Sequence, residues 1–446
     1  MRTLSFRAAL SGALLASALT ACHTLMSRGP VPSPPASIGQ NPELPTPRKK
    51  LLPTMQVAAA TGWSSGSQPQ AAAGLAVSPF ATSLSHPRWL YVLPNGDVLV
   101  AETNAPTRPE EGKGIKGKVM KAVQGKAGAG VPTANRIRLL RDADGDGRAE
   151  TITEFATQLN SPFGMALVGS TLYVANTDAV MAFDYRSGET SVAGPPRKLT
   201  NLPGGPRNHH WTKNILASAD GRYLYATTGS NSNVGENGLE QEEGRAAIWQ
   251  IDLKNGEKHL YATGLRNPNG LAWEPSSGEL WTAVNERDEL GNDLVPDYIT
   301  SVHEGAFYGW PFSYYGQHVD ARVKPQNSTL VAKATPPDYA LGAHVAALGL
   351  TAAGNANLPS QYRNGMFVGE HGSWNRKPAV GYKVVFVPFS QGKPAGQPLD
   401  VLTGFISANG KAQGRPVGLV VARDGSLLVA DDVGNTVWRV TAAAQH

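Results

Sequence analysis

The sequence predicts an all-β fold, a six-bladed β-propeller with inserted loops, on two observations. The composition suits a turn-rich protein, because 49 of the 446 residues are Gly, 33 are Pro and only 17% are charged. Six times along the chain, a short apolar strand leads through a turn into a second strand, the pattern of a β-hairpin. Repeated units of this kind bury their faces only by packing against their neighbours, as propeller blades do. The hairpins span residues 90–100, 165–174, 215–225, 271–281, 348–368 and 419–429.

The N-terminus has the pattern of a bacterial export signal. Two arginines precede an apolar run over residues 8–19, which is too short to span a bilayer comfortably. The run ends at Leu19-Thr20-Ala21-Cys22, which resembles the lipobox of lipoproteins, in which the Cys is acylated. Residues 1–21 are therefore predicted to be a signal peptide, and Cys22 to anchor a periplasmic protein to the bacterial outer membrane. An acylated Cys22 leaves no thiol for disulfides, zinc or nucleophilic chemistry. A plain secretory signal with an incidental Cys is the alternative.

Residues 22–78 are predicted to be a flexible linker that follows the lipidated Cys. They are poor in large apolar side chains and rich in Pro, Ser, Ala and Gly, so they cannot bury enough surface to fold alone. A Pro-rich tether is partly extended and would hold a folded domain clear of a membrane. The propeller is predicted to occupy residues 79–446.

Charge and motifs exclude several classes of function. Two of the 40 Lys and Arg lie in residues 1–21, which leaves 38 against 35 Asp and Glu and gives no argument for binding nucleic acid. The chain has no P-loop, no dinucleotide-binding fingerprint after a strand and no Gly-x-Ser-x-Gly elbow.

Polar residues stand at equivalent positions just before four of the hairpins. If each blade begins at the central channel, these residues gather at one end of it, where loops commonly carry function. A ring that holds His and two Arg suits an anionic ligand beside a proton acceptor. The alternative is that these residues only close hydrogen bonds between blades. The ring consists of His209 and His210, Arg266 and Asn267, His344, and Arg415.

Several stretches carry a family resemblance that covers the chain from about Gly74 to its end. They are residues 77–88, 266–272 and 308–311, while residues 285–288 and 371–376 look more like a second branch. The chain resembles the soluble aldose sugar dehydrogenases that depend on pyrroloquinoline quinone (PQQ), and the second branch is that of the sorbosone dehydrogenases. The resemblance implies a six-bladed propeller that oxidises an aldose or a related sugar aldehyde and passes electrons to a quinone or cytochrome acceptor.

The resemblance assigns roles to individual residues. His210 matches the general base that takes the proton of the anomeric hydroxyl while the C1 hydride moves to C5 of the quinone, and imidazole suits this role near neutral pH. His209 is the alternative candidate for the general base. Arg266 matches the arginine that faces the C5 oxygen, where negative charge develops, and Asn267 would donate beside it. Ser230 stands where glucose-oxidising members carry an Asp that orients the base.

Other residues are assigned to the cofactor by the same resemblance. Arg415 matches an arginine that binds the carboxylates of PQQ, a bidentate task for which Lys is a poor replacement. By loop position, Arg376, His371 and Trp374 are further parts of the wall, and His344 belongs to the same ring.

Calcium is the metal that the resemblance implies. One ion would lie near the main-chain carbonyls of Asn285 and Glu286, and a second near Asp297 and Tyr308. Independently, Asp142, Asp144 and Asp146 reproduce the first half of a calcium loop, with Gly145 to turn the chain. Thr153 at the twelfth position excludes an EF-hand and leaves Glu150 or Glu154 to complete a smaller site, and an acidic surface turn without an ion is the alternative.

Two other functions and one insertion stay open. A calcium-dependent propeller lactone hydrolase would use acidic metal ligands in the channel and no organic cofactor. A non-catalytic binding propeller is favoured by Ser230 at the position of the orienting Asp. The charged, Gly-containing stretch 108–126 is interpreted as a solvated loop of the first blade, with a lid or a docking surface for an electron acceptor as the alternatives.

Overall fold

A computed structural model describes residues 35–48, 56–110 and 122–444. The predicted signal peptide and the predicted lipid anchor at Cys22 lie outside the described residues. Within these ranges, no helix is both long enough and apolar enough to cross a lipid bilayer.

Six antiparallel sheets, each built on four strands, form the fold. Blade 1 comprises Pro87–Val92, Val98–Glu102, Arg136–Arg141 and Thr151–Ala156. Blade 2 comprises Met165–Val168, Thr171–Ala175, Ala179–Asp184 and Arg197–Asn201. Blade 3 comprises Ile215–Ala217, Tyr223–Thr228, Ala247–Asp252 and Lys258–Thr263.

The other three blades follow the same plan. Blade 4 comprises Pro268–Trp273, Leu280–Val284, Pro296–Val302 and Tyr339–Ala343. Blade 5 comprises Ala347–Ala352, Gly365–Glu370, Lys383–Ser390 and Leu399–Thr403, with Gln70–Ala71 and Lys393–Pro394 added. Blade 6 comprises Pro416–Val421, Leu427–Asp431 and Thr436–Ala442, with Leu75–Ala81 as its outer strand.

Several short elements lie outside the blade strands. They are the hairpin Ser313–Tyr314 with His318–Val319, the α-helix Ser328–Lys333, the 3-10 helices Pro35–Ser37, Leu239–Glu242 and Ser360–Tyr362, and the π-helical turn Gly125–Ala129.

The first strands of neighbouring blades contact one another in a closed cycle, which is the geometry of a propeller around a channel. Each predicted hairpin forms the first two strands of one blade. The ring closes because Leu75–Ala81, from the N-terminal side, pairs antiparallel with Thr436–Ala442 from the C-terminal side. The predicted fold class is confirmed.

Apolar side chains pack between adjacent blades because each sheet is covered on both faces. Val98–Glu102 and Leu280–Val284 are buried at every position. Trp281, fully buried, meets the ring of Phe389 edge-on across the junction between blades 4 and 5, with centroids 4.9 Å apart. Such continuous apolar strands are expected where sheets are packed on both sides.

The described parts of the predicted linker differ from a free tether. Gly39 and Ala340 exchange backbone hydrogen bonds of 3.0 and 2.9 Å, and Arg48 donates to the carbonyl of Leu290 at 2.8 Å. The closing strand begins at Leu75, four residues before the predicted domain boundary. Composition shows only that a segment cannot fold alone, whereas this one docks on a surface that the blades already provide.

Candidate active site

A cavity of about 250 Å³ opens at the end of the channel where first strands begin and second strands end, and residues of blades 1, 3, 4, 5 and 6 line it. These two positions lie at the same end of an antiparallel pair, so loops from several blades meet there. The structure brings most of the predicted ring to this cavity. The sequence-predicted residues that line it are His209, His210, Arg266, Asn267, Asn285, His371, Trp374 and Arg415.

The Nδ1 atom of the His210 ring is held by Ser230. It lies 2.9 Å from the carbonyl oxygen and 3.0 Å from the hydroxyl oxygen of Ser230. A carbonyl oxygen only accepts hydrogen bonds, so Nδ1 carries the hydrogen and Nε2 keeps its lone pair. Burial, followed by the charges of His209 and Arg266, holds the pKa of His210 well below its usual value. His210 is therefore a neutral imidazole with one nitrogen ready to accept a proton.

His209 also lines the cavity, with its ring perpendicular to that of His210 at a centroid distance of 4.5 Å. Its backbone N–H donates to the Asn231 side chain at 3.1 Å, and its carbonyl accepts from Arg108 at 2.8 Å. The fixed tautomer of His210 favours that residue as the base, and His209 packs against it.

The same turn that orients His210 also holds the Arg266 guanidinium. Ser230 donates its backbone N–H to the carbonyl of Arg266 at 2.8 Å. Three residues later, Asn233 accepts from Arg266 Nε at 3.2 Å through its carbonyl and from Nη2 at 3.0 Å through its side chain. The proposed base and the proposed electrophilic guanidinium are thus fixed relative to each other by one turn, residues 230–233.

Gly229 allows the close approach on which this arrangement depends. A Cβ atom at this position would overlap the side-chain oxygen of Asn267 and lie only 2.5 Å from Cβ of His210. The Asn267 oxygen is itself buried and has no hydrogen-bond partner among the described residues.

We expect Gly229→Ala to lower the free energy of unfolding by about 1–3 kcal/mol, because the added methyl overpacks the wall that carries His210 and Asn267. Urea unfolding measures the change. Gly194→Ala is the control, since a Cβ there meets no atom within 4 Å and its φ is not in the left-handed region. Equal stability of the two variants would contradict the close packing described here.

Arg415 is a buried cation without a carboxylate partner. Its side chain is 4% exposed, its Nη2 donates to the Tyr382 hydroxyl at 3.0 Å, and its guanidinium lies 4.9 Å from the centroid of that ring. It forms no ion pair with any described residue. Because burying an unpaired charge is costly, this guanidinium indicates an anionic ligand.

A second polar cluster in the cavity wall was not predicted from the sequence. Oδ2 of Asp432 accepts from Arg88 Nη1 at 2.7 Å and from His371 Nε2 at 2.9 Å, and its backbone carbonyl lies 2.9 Å from Nδ1 of His86. Burial lowers the pKa of His371 to about 4, so this ring is neutral and donates to the carboxylate. His86 and Arg88 precede the first hairpin just as the ring residues precede later hairpins. Their position in the sequence could therefore have identified them as site residues.

Part of the blade 1 insertion also lines the cavity. Val123, Gln124 and residues 127–129 face it, and Asn104 fixes the end of this segment by donating to the carbonyl of Val131 at 2.6 Å. We call residues 122–131 the insertion segment. It has the cavity on one side and water on the other, since none of its residues is buried and Val131 is 46% exposed. A lid over the cavity stays a prediction.

Two predicted cofactor residues lie outside the cavity. Nη2 of Arg376 donates to Asp293 at 2.6 Å, and this carboxylate on a neighbouring loop draws the side chain away. His344 stands behind the wall, where Nε2 donates to the carbonyl of Gly291 at 2.9 Å and Nδ1 lies 3.4 Å from Asp288. Although burial opposes it, the Asp288 carboxylate raises the pKa of His344 above its usual value.

Both residues of the predicted second calcium site are hydrogen-bonded to the protein backbone. Asp297 accepts from the backbone N–H of Glu286 at 2.7 Å and of Ala346 at 2.6 Å, while the Tyr308 hydroxyl donates to the carbonyl of Ser301 at 2.6 Å. Burial raises the pKa of Asp297 to about 7. Calcium at this position stays a prediction.

At the first predicted calcium position, the guanidinium of Arg266 is bonded to the two carbonyls. The Glu286 carboxylate accepts from Arg287 at 3.0 Å, so it is turned away from the cavity. The main-chain carbonyls of Asn285 and Glu286 do converge, and both accept from Nη1 of Arg266, at 3.3 and 2.7 Å.

The acidic loop of blade 1 brings its carboxylates together. Ligand atoms of Asp142, Asp144, Asp146 and Glu150 all lie within 4.8 Å of one another. Of the two residues that the sequence offered to complete this site, Glu150 lies with the aspartates. Glu154 instead forms an ion pair with Arg136 at 2.6 Å. Calcium in this loop stays a prediction.

Comparisons with known proteins agree with this geometry. A family model described as TrAA12-like matches residues 133–305 and 313–443. An uncharacterized protein of Borreliella burgdorferi is 30% identical over 305 residues, 65% of this chain and 78% of that protein. A pyrroloquinoline quinone-dependent pyranose dehydrogenase of Coprinopsis cinerea is 25% identical over 443 residues, 83% of this chain and 54% of that protein, so the chain spans about half of its length.

A solved structure is also similar. The holo form of the pyranose dehydrogenase PQQ domain from Coprinopsis cinerea superimposes with a TM-score of 0.67 at 21% identity, over 86% of this chain and 100% of that domain. At this identity the likeness shows the fold. The predicted resemblance to PQQ-dependent sugar dehydrogenases is confirmed, and the chain belongs to the TrAA12-like family.

Proposed function

We propose that this protein is a PQQ-dependent dehydrogenase that oxidises an aldose or a related sugar aldehyde. The observation that carries the proposal is the pairing, in one cavity, of a buried guanidinium without a counter-ion and a neutral imidazole with a fixed free nitrogen. The first requires an anion, and the second accepts a proton. The guanidinium is that of Arg415, and the imidazole is that of His210. The family resemblance assigns Arg415 to cofactor binding and His210 to the role of general base.

The cavity fits an anionic, planar cofactor. Three arginines line it, Arg88, Arg266 and Arg415, against two carboxylates, Asp288 and Asp432. Both carboxylates are already in contact with arginine, at 3.5 Å for Asp288 with Arg266 and 2.7 Å for Asp432 with Arg88, which leaves Arg415 for the ligand. The lining histidines add no charge where burial keeps them neutral, and Trp374 offers a flat apolar face. When bound, PQQ supplies the acceptor for the hydride that leaves C1 of the sugar.

The residues of this chain supply the remaining chemistry. His210 accepts the anomeric hydroxyl proton at Nε2, and Ser230 keeps the ring in the required tautomer. Arg266 is held rigidly by main-chain carbonyls, so it stabilises developing negative charge with little reorganisation. Arg415 would bind a carboxylate of the cofactor, and the insertion segment would lie beside the bound ligand.

Calcium belongs to the proposal because the family resemblance implies it near Asn285 and Glu286. The carbonyls of these two residues already accept from Nη1 of Arg266, at 3.3 and 2.7 Å, so each would offer an ion its second lone pair. We expect cofactor affinity to fall when calcium is removed with a chelator, and an isothermal titration with and without the metal measures the difference.

The test of the proposal uses the purified full-length chain with PQQ and calcium and a panel of sugars that includes glucose and sorbosone. Reduction of the bound cofactor, seen in its absorption spectrum on adding sugar, is the expected result. Spectral silence with hydrolysis of a lactone would favour the hydrolase, and silence in both assays would favour a binding propeller. The described cavity does not favour the hydrolase, because both of its carboxylates are engaged by arginine.

We expect Ser230→Asp to move the acidic limb of the kcat/KM profile upward by about one to two pH units, because a carboxylate beside Nδ1 stabilises the protonated ring. His209, Arg266 and Arg245 are the charged or titratable groups that act on His210, and all remain in place. The unchanged protein should keep its activity below pH 6.5, since its base stays neutral there. Ser230→Ala is the control, and it should leave the limb where it is or lower it slightly. An unmoved limb in the Asp variant would show that another group is the base.

Sorbosone as substrate, a quinone or cytochrome acceptor, and a lipid anchor at Cys22 in the periplasm are also proposals. Their support is the sorbosone-like stretches at 285–288 and 371–376 and the lipobox at residues 19–22. Detergent-phase partition of the protein expressed with its native N-terminus, compared with Cys22→Ser, tests the anchor. Partition of both variants into water would contradict it.

A further inference from the structure

The N-terminal segment 56–63, which we call the strap, lies along the rim of the cavity. Gln56 donates its backbone N–H to the carbonyl of Trp374, which lines the cavity, at 3.0 Å. Ala60 donates to the carbonyl of Lys126 in the insertion segment, also at 3.0 Å. The strap is therefore bonded to two parts of the cavity wall.

The strap is also bonded to the loop that leads to Arg415. Ala412 donates to the carbonyl of Ala59 at 2.9 Å and accepts from the N–H of Thr61 at 2.8 Å. These bonds set the strap beside the chain three residues before the cation.

The side chain of Trp63 enters the body of the propeller. Its ring meets Phe405 at a centroid distance of 5.6 Å and Trp438 at 5.5 Å, both edge-on. Its indole N–H donates to Oδ2 of Asp431 at 2.7 Å. The strap thus ends in an aromatic anchor bonded to a carboxylate.

Asp431 holds the backbone of Arg415. The carboxylate is fully buried, and its Oδ1 accepts from the N–H of Arg415 at 2.7 Å and from the N–H of Gly434 at 2.8 Å. Trp438 adds a second indole bond to Oδ2 at 3.1 Å. Burial raises the pKa of Asp431 to about 6, and these N–H donors are what stabilise its ionised form.

Two glycines pack so closely against the Asp431 carboxylate that no larger residue would fit at either position. A Cβ at Gly414 or at Gly434 would collide with Oδ2 of Asp431, and at Gly434 it would also lie 2.5 Å from Nε1 of Trp63. The loops on either side of Arg415 therefore close tightly around the contact between Asp431 and the strap.

We infer that Trp63 is a positioning residue for Arg415, and that the strap is a structural part of the cofactor site. The indole bond fixes Asp431, Asp431 fixes the backbone of Arg415, and the backbone fixes the direction of the guanidinium. The inference rests on the proposed function for the identity of the anion, but the linkage itself does not depend on it.

The first test is hydrogen–deuterium exchange of the full-length protein without cofactor, in Trp63→Phe and the unchanged chain. Phe keeps an aromatic ring between Phe405 and Trp438 but removes the indole N–H. We expect exchange at the amides of Arg415 and Gly434 to become about tenfold faster, the factor that corresponds to one hydrogen bond to a charged group. The control is Trp273→Phe, which removes an indole bond to the carbonyl of Ala217, 2.8 Å long, away from the cavity.

The second test is cofactor affinity. We expect Trp63→Phe to raise the Kd for PQQ about tenfold and to leave kcat at saturating PQQ within about twofold, a split that a general loss of stability does not produce. Asp431→Asn, which retains the shape of the side chain, should act in the same direction. Unchanged exchange at Arg415 in a folded Trp63→Phe would overturn the inference. Faster exchange with no PQQ binding by any variant, the unchanged chain included, would leave the linkage in place and contradict the proposed function.

Discussion

His210→Ala is expected to lower kcat for sugar oxidation by about 10²- to 10⁴-fold, the range that general base catalysis contributes. The Kd for PQQ should change by less than about threefold, because the imidazole faces the substrate proton and carries no charge that binds the cofactor. Steady-state reduction of a dye with saturating PQQ gives kcat, and a titration of the cofactor spectrum gives Kd.

The physical reason is the fixed tautomer of the ring. Nδ1 donates to Ser230, so Nε2 is the only position that accepts a proton, and burial keeps it unprotonated near neutral pH. His209→Ala is the matched control, since it removes a neighbouring imidazole from the same cavity. Normal rates in the His210 variant together with loss of activity in the His209 variant would move the base to His209.

Arg415→Ala should weaken PQQ binding by about 30- to 5,000-fold, because truncating one partner of a buried charge pair costs about 2–5 kcal/mol. Arg415→Lys should recover only part of the affinity, since an ammonium group does not match a carboxylate in bidentate fashion. Isothermal titration with calcium present measures both variants.

Arg376→Ala is the control for this prediction. Both arginines are buried, at 4% and 5% exposure, and both were assigned to the cofactor from the sequence. Only Arg415 lines the cavity, whereas Arg376 is bonded to Asp293. A larger loss of affinity in the Arg376 variant than in the Arg415 variant would contradict the site described here.

The fold was predictable because the hairpins are local. Five of the six hairpins lie within about ten residues of sequence, the fifth, 348–368, having a longer turn, and six such units leave few ways to bury their faces. The N-terminal strap was not predictable from composition, since its order comes from contacts such as that of Trp63 with Asp431, 368 positions away.

The candidate site was predictable where position in the blade decides where a residue lies. His210, Arg266 and Arg415 each precede a first strand, and all three line the cavity at one end of the channel. His344 also precedes a first strand, yet neither it nor Arg376 lines the cavity, because neighbouring carboxylates on other loops set the directions of their side chains. Tertiary partners of this kind leave no local pattern in the sequence.

A crystal structure of the protein with PQQ and calcium tests the meeting of His210, Arg266 and Arg415 around one ligand most directly. We predict PQQ within this cavity, with a carboxylate hydrogen-bonded to Arg415 and its ring system beside His210 and Arg266. Binding of PQQ at any other place, with these three side chains left in contact only with protein, would contradict the account.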